Sequence, residues 1–324
     1  MSRPRTLTIA TIVIVFALVL LPLIAEKFTV QFATRILIMA IFAMSLNLLV
    51  GHAGLVSLGH AAFFGLAGYC LALSSPQYQA ASFWISLPLA MIAAGALALV
   101  IGALVLRTGG IYFIMATLAF AQMLFFLLHD TGIAGGSDGM YIYIRPDAGI
   151  FGRRPFDLEK FGDFYFVVLA LFVIVFAFIG LLRASLFGRV IAGIRVNEQR
   201  MRSLGFATFR YKLACFVIAG MLAGLAGYLA AVQFGVVNPD MLGWHLSGAV
   251  LMMVILGGMG TLAGPVIGAA AMLLLELGLQ SLPEAGAMNP GKHWQLPMGV
   301  AIVLVALYLP NGIARWWQRG RADD

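Results

Sequence analysis

Residues Arg183 to Lys212 read RASLFGRVIAGIRVNEQRMRSLGFATFRYK, the one long polar and basic stretch between hydrophobic walls. Arg183, Arg189, Arg195, Arg200, Arg202, Arg210 and Lys212 stand here against a single acid, Glu198. Val190, Ile191, Ile194, Met201 and Leu204 recur among them at roughly helical spacing, which predicts one or two short amphipathic helices at a membrane surface. Arginine beside apolar runs stays on the cytoplasmic side, so the stretch faces the cytoplasm. A basic loop that only sets orientation is the blander reading. A topology signal needs only about two or three charges and no apolar face, so the stretch is read as a docking surface for a cytoplasmic partner.

Composition agrees with a membrane setting. The 324 residues are 62% hydrophobic and 10% charged, with mean hydropathy +1.00, whereas soluble domains carry about 25% charged residues. The net charge of +7 sits in loops next to apolar runs and is a topology signal, with no need of a nucleic-acid partner. Cys70 and Cys215 fall inside apolar segments, where a thiol packs as a small hydrophobe. Neither a disulfide nor a metal site is expected.

Outward from the basic stretch, apolar runs alternate with polar turns. Arg3 and Arg5 precede Leu7–Ala25, which is too long for the h-region of a signal peptide and is read as the first span, N-terminus inside. Glu26–Arg35 is read as an outer loop, and the further spans are Ile36–Val50, Leu58–Ser74, Phe83–Leu106, Gly110–His129, Phe164–Leu182, Leu213–Gln233, Leu246–Leu256, Pro265–Leu282 and Trp294–Leu309. Pro76 and Gln77–Ser82 make an outer turn, and Arg107 marks an inner end. The loop 130–163 holds Asp130, Asp138, Asp147, Asp157, Glu159 and Asp163 against Arg145, Arg153, Arg154 and Lys160, so it is acidic and placed outside. The expected fold is an all-α polytopic membrane protein forming one transmembrane domain over 1–324, with about ten helices. Both termini are cytoplasmic, the C-terminal one marked by Arg315, Arg319 and Arg321.

Two stretches break the pattern of plain spans. In GHAGLVSLGHAAFFG, Gly51–Gly65, glycines, two histidines and a serine interrupt apolar sequence at membrane depth. Irregular backbone there is tolerated only inside protein or along a watery cavity, so such breaks point to a translocation path; close helix packing with interfacial histidines is the alternative. In GGMGTLAGPVIG, Gly257–Gly268, Gly260, Gly264 and Gly268 repeat every four residues, which favours a close-packed helix seam. Both breaks fall on the inner side, which an inverted repeat does not predict.

Polar groups in or beside spans are costly toward lipid and mark function. Asn47, His52, Ser57, His60, Gln122 and Glu276 are therefore the candidates for the path. Glu276, with no opposite charge within a helical turn, could equally hold two helices together, while His245 beside Trp244 is read as interfacial. Arg189, Ile194, Arg195, Glu198, Leu204 and Gly205 are the candidates for coupling to the partner. Val190, Ile194, Met201 and Leu204 supply an apolar face, Arg195, Arg200 and Arg202 pair with acids at its rim, and Gly205 ends a helix in the left-handed conformation.

Two motif matches fail on context. Gly286–Lys292 fits G-x-x-x-x-G-K, but His293 follows where Ser or Thr is needed, and Gly258–Ala263 fits G-x-G-x-x-A without the surrounding strand and helix alternation. With no nucleotide site, metal cluster or nucleophile constellation, the chain is not read as an enzyme.

The run GHAGLVSLGHAAFFGLAGY, then RTGGIYFIMATLAFAQ at Arg107–Gln122, GGSDG at Gly135–Gly139, SLFGRVIAGIRVNEQRMRSLGFATFRYKL, and the region from Asn238-Pro239-Asp240 to GGMGTLAGPVIGA together resemble the LivM-type permeases. These are one of the two membrane subunits of branched-chain amino acid ABC importers, and the likeness extends from Ile36 to Gly312. It implies a bacterial inner-membrane permease working with a homologous second permease, two cytoplasmic ATPase subunits and a periplasmic solute-binding protein. It implies no cofactor on this chain, since the partner subunits bind ATP. The segment 183–212 then corresponds to the coupling segment, with Gly205 at the glycine of its Leu-Gly turn. Related permeases handle urea, short amides and aromatic acids, which the shared motifs do not separate. From another class altogether, a membrane scaffold or receptor has no need of two broken segments.

Overall fold

A computed structural model describes residues 19–22, 25–75, 79–132, 134–149, 157–281, 295–308 and 312–313. The first span, Leu7–Ala25, lies mostly outside the described residues. So do the N-terminal arginines, Pro76 and Gln77, Arg153 and Arg154, Gly286–Lys292 and Arg315, Arg319 and Arg321.

Among the described residues the regular structure is helical apart from two short strands. Helix α1 is Lys27–Asn47 and continues as a π-helical turn over Leu48–Ala53; α2 is Ala61–Ser74, α3 Phe83–Val105, α4 Ile111–Asp130 and α5 Phe161–Ala184. Two short helices follow, α6 over Leu186–Val196 and α7 over Glu198–Ser203. Then come α8, Thr208–Phe234, α9, Trp244–Gly257, α10, Gly264–Gln280, and α11, Gln295–Tyr308. The chain is a multi-pass membrane protein: α1 with its π turn, α3, α4, α5 and α8 are long and apolar enough to cross. The 14 residues of α2 and of α9 reach only about 21 Å, short of a hydrocarbon core of about 30 Å. Each adjoins one of the two glycine breaks.

The core lies between α1 and α8, which are buried all round over part of their length. From Leu222 to Val232 every residue of α8 is buried, as is α1 from Leu37 through Asn47 apart from Met39. Small residues let neighbours approach: a Cβ on Gly227 would sit 1.9 Å from the Phe64 carbonyl oxygen of α2, and one on Gly224 2.6 Å from Ala94 Cβ of α3. In the membrane such close van der Waals packing replaces the hydrophobic drive. By contrast α3, α4 and α5 bury one side and turn large apolar residues outward, Ile85, Tyr112, Met123 and Ile174 among them.

The two ends of α8 carry the two charged loops. Helices α6 and α7 precede its N-terminal end, whereas past its C-terminal end strand β2, Val236–Val237, pairs antiparallel with β1, Met140–Tyr141, of the acidic loop. Arg145 fastens that loop, donating to the Leu158 carbonyl at 2.8 Å and lying 5.2 Å from the Phe161 ring centroid.

Three span limits differ from the sequence expectation. Glu26–Arg35 is not a loop, because α1 begins at Lys27; its charge is accommodated where Arg35 meets Glu276 of α10 at 3.5 Å. The span expected from Leu58 starts at Ala61, since residues 54–60 stay irregular. Helix α8 begins at Thr208, inside the basic stretch, because Lys212 and Thr208 are both bonded to Glu198.

Candidate functional site

Asn47 closes α1, and the turn after it widens into a π-helix, a device frequent at functional sites. His52 donates from Nδ1 to the Asn47 carbonyl at 3.1 Å, leaving its Nε2 buried and without a partner among the described residues. Ser57 is fully buried and accepts the Gly59 amide at 3.3 Å. The amide of Ala61, first residue of α2, donates to Ser247 Oγ of α9 at 2.9 Å. This satisfies one of the donors that a helix start leaves orphaned.

His60, fully buried, stacks on Phe42 at 5.5 Å and meets Ser45 Oγ through Nε2 at 2.8 Å. The Ser45 hydroxyl donates to the Phe42 carbonyl at 2.7 Å, so its one proton is used and His60 Nε2–H must be the donor to it. His60 Nδ1 is then a bare acceptor, again with no partner among the described residues.

The second break folds onto the first. Between α9 and α10, Thr261 Oγ1 accepts the Gly264 amide at 3.0 Å and donates to the Gly258 carbonyl at 2.9 Å. The Asn47 side chain holds this turn with both ends of its amide: Nδ2 donates to the Thr261 carbonyl at 2.8 Å, and Oδ1 accepts the Gly260 amide at 2.9 Å. Gly260 has φ +77°, a left-handed conformation suited to glycine. A Cβ on Gly51 would lie 2.2 Å from Asn47 Oδ1 and 2.5 Å from the Gly260 nitrogen, so the two backbones touch there because glycine has no side chain.

Two arginines of the basic stretch close the same node. Arg195 Nη1 donates to the Gly51 carbonyl, and Arg183 Nη2 donates to the Gly260 carbonyl at 3.3 Å. Both glycine breaks, the end of α5 and α6 thus meet at one end of the bundle, Arg195 and Gly51 standing 144 residues apart in sequence and Arg183 and Gly260 77.

Expectations for the coupling face are redrawn in part. Val190, Ile191 and Ile194 are buried in this chain's own core rather than presented to a partner, because α6 packs on the π turn and on the ends of α5 and α8. Arg195, itself an exposed residue, donates to the Gly51 carbonyl of this chain. Exposed as well are Arg189, Val196, Arg200 and Leu204, the last at 64%. Gly205 takes φ +86°, as the sequence suggested, with open space around it. Glu198 is the local hub, accepting from Lys212 at 2.9 Å, Thr208 at 3.0 Å and Arg202 at 3.1 Å. Partial burial pushes its carboxyl up, but the bond and charge of Lys212, then Thr208 and Arg202, outweigh this and hold it below the ordinary range. Arg183, Arg189 and His52 line a cavity of about 180 Å³ beside the node.

Asn47, His52, Ser57 and His60 therefore lie along one stretch from the node to the start of α2. Gln122, half-buried on α4, has no hydrogen bond to them, and Glu276 belongs to the Arg35 ion pair on α10, 3.3 Å from Gln280 Nε2. Sequence reading missed Ser45 and Ser247 as partners of the first break, and it read Gly260 as part of a helix seam. Gly264 and Gly268 do line the contact of α10 with α9, while Gly260 lies in the turn. Each missed contact joins segments remote in sequence, so no local pattern announces it.

Residues 28–307 match the family described as branched-chain amino acid transport system, permease component. The high-affinity branched-chain amino acid transport system permease protein LivM of Escherichia coli (strain K12) is 30% identical over 312 residues, 90% of this chain and 71% of that protein. The LivM of Salmonella typhimurium is 30% identical over 314 residues, with the same shares covered. The xylose transport system permease protein XylH of Escherichia coli (strain K12) is 31% identical over 134 residues, 40% of this chain and 33% of that protein. No solved structure matches.

Proposed function

Since the chain belongs to the family of branched-chain amino acid transport permease components, we propose that it provides part of the path by which an ABC importer moves aliphatic amino acids across a bacterial inner membrane. Its partners are a second permease, two cytoplasmic ATPase subunits and a periplasmic binding protein. ATP binds to the ATPase subunits, and this chain binds no nucleotide. About ten spans, with both termini and the segment 183–212 cytoplasmic and the loop 130–163 periplasmic, complete the reading.

The observation that carries the proposal is the Arg195 bond to the Gly51 carbonyl, seconded by Arg183 on Gly260. Helix α6 holds the first irregular segment through Arg195, and the end of α5, which α6 packs against, holds the second through Arg183, so motion imposed on this surface by an ATPase subunit is delivered to the path. Arg189, Glu198, Leu204 and Gly205 shape the surface that takes up this motion, and Ile194 anchors α6 from below. Asn47, His52, Ser57 and His60 lie on the moving segment, with Gln122 and Glu276 as further candidates along the path.

The XylH match over part of the chain favours a second reading, a neutral polar solute as cargo. Reconstitution of the four kinds of subunit in vesicles separates the two. Labelled leucine, isoleucine and valine are expected to accumulate only with ATP and the binding protein present. Accumulation of xylose with none of the three amino acids would reassign the cargo, and no ATP-dependent uptake of either class would remove the transport reading.

A further inference from the structure

At the end of the bundle carrying the acidic loop, a cavity of about 380 Å³ opens between α1, α2, the end of α8 and the start of α9. Sites for small molecules begin at about 300 Å³. Arg35, Gln233, Asn238 and Asp240 line its polar side, and Phe64 and Leu246 are among the residues of its apolar side. Arg35 and Asn47 are twelve positions apart on α1, so the cavity stands about 18 Å along that helix from the Arg195 node.

The polar groups form two complementary halves. Arg35 meets Glu276 at 3.5 Å through one nitrogen, Nη2, and a guanidinium has five donors, so it can hold a second carboxylate. The Asn238 amide adds further donors. Opposite in character, Asp240 has no side-chain hydrogen bond or ion pair among the described residues. The Gln233 amide is oriented by Nε2 donating to the Gln31 carbonyl at 2.8 Å, and its Oε1 is buried without a donor. A buried acceptor without a donor calls for a partner, and an ammonium group supplies N–H donors for both Gln233 and Asp240.

We propose that this cavity is a binding subsite for the zwitterionic end of an aliphatic amino acid, with Arg35 and Asn238 on the carboxylate, Asp240 and Gln233 on the ammonium, and the side chain against Phe64 and Leu246. The proposal rests on the transport reading above and narrows its cargo, because a sugar makes no use of a separated cation and anion. Its place between the acidic loop and the node makes it the first stop after release from the binding protein.

The test is equilibrium binding of labelled leucine to the permease and ATPase assembly in nanodiscs, without binding protein. Saturable binding is expected. Leucinamide, which lacks the carboxylate, and 4-methylpentanoate, which lacks the amine, should each compete at least about tenfold more weakly than leucine, because each leaves one charged half of the site unpaired. Asp240→Asn should weaken leucine about tenfold yet leave 4-methylpentanoate unchanged. Arg35→Gln should do the converse with leucinamide, whose unchanged binding shows that the variant is folded. Absence of saturable binding, or equal leucine binding in wild type and Asp240→Asn, overturns the subsite. If the complete importer still accumulates leucine in that case, the transport reading stands alone; if it accumulates none, that reading has failed first.

Discussion

Gly51→Ala is expected to cut ATP-driven uptake at least about tenfold while the amount of protein in the membrane stays near wild type. The added methyl would meet Asn47 Oδ1 at 2.2 Å and the Gly260 nitrogen and Cα at 2.5 and 2.8 Å. A side-chain amide can swing away, but only by giving up its bonds to Gly260 and Thr261; the Gly260 backbone can move only by separating the two breaks. Overpacking of this kind costs roughly 1–3 kcal/mol, and each backbone group left unpaired adds about 1–3 kcal/mol. The damage is confined to one turn, and the packing between α1 and α8 is untouched. Uptake by membrane vesicles set against an immunoblot of the same vesicles is the check. Undiminished uptake would mean that the contact of the two breaks has no part in transport.

Gly227→Ala acts elsewhere, and its expected effect is on the fold itself. Here the methyl would lie 1.9 Å from the Phe64 carbonyl oxygen and 2.6 Å from its carbon, both main-chain atoms of α2, so no rotamer relieves the clash and the helices must part. A cost at or above the upper end of roughly 1–3 kcal/mol follows, enough to lower the melting temperature of the detergent-solubilised protein by several degrees and to reduce its yield. Gly248→Ala on α9 is the matched control, since a Cβ there meets nothing within 4 Å. Equal melting temperatures for the two variants would contradict the packing described for α2 and α8.

How much of this was legible beforehand depends on the range of the contact. Charge asymmetry separated the basic and acidic loops, and they indeed lie beyond opposite ends of α8. Glycine and polar residues within an apolar run disclosed both breaks, and the left-handed Gly205 followed from a helix that had to end. What stayed hidden was pairing at a distance. Nothing near Asn47 tells that its amide reaches Gly260 and Thr261, more than 210 residues on. Arg195 reads as a solvated charge on an amphipathic helix, and it is exposed, but nothing local announces that it also bonds the Gly51 carbonyl of the π turn. Ile194 shows the same limit: a helical apolar face announces burial without saying against what, and here it is buried within this chain. Gly220, Gly224 and Gly227 passed unnoticed inside a plain apolar span, although they set the closest packing of α8.

The central claim is that Arg195 carries motion of the basic helices into the broken segments, and Arg195→Ala in the reconstituted importer tests it most directly. Six of the seven cations between Arg183 and Lys212 remain, so orientation in the membrane should not change. ATP hydrolysis and leucine uptake are to be measured on the same vesicles. The account predicts hydrolysis within about twofold of wild type and uptake per ATP lower by about tenfold, the loss expected for one charge-assisted hydrogen bond. Uptake per ATP equal to wild type would contradict it.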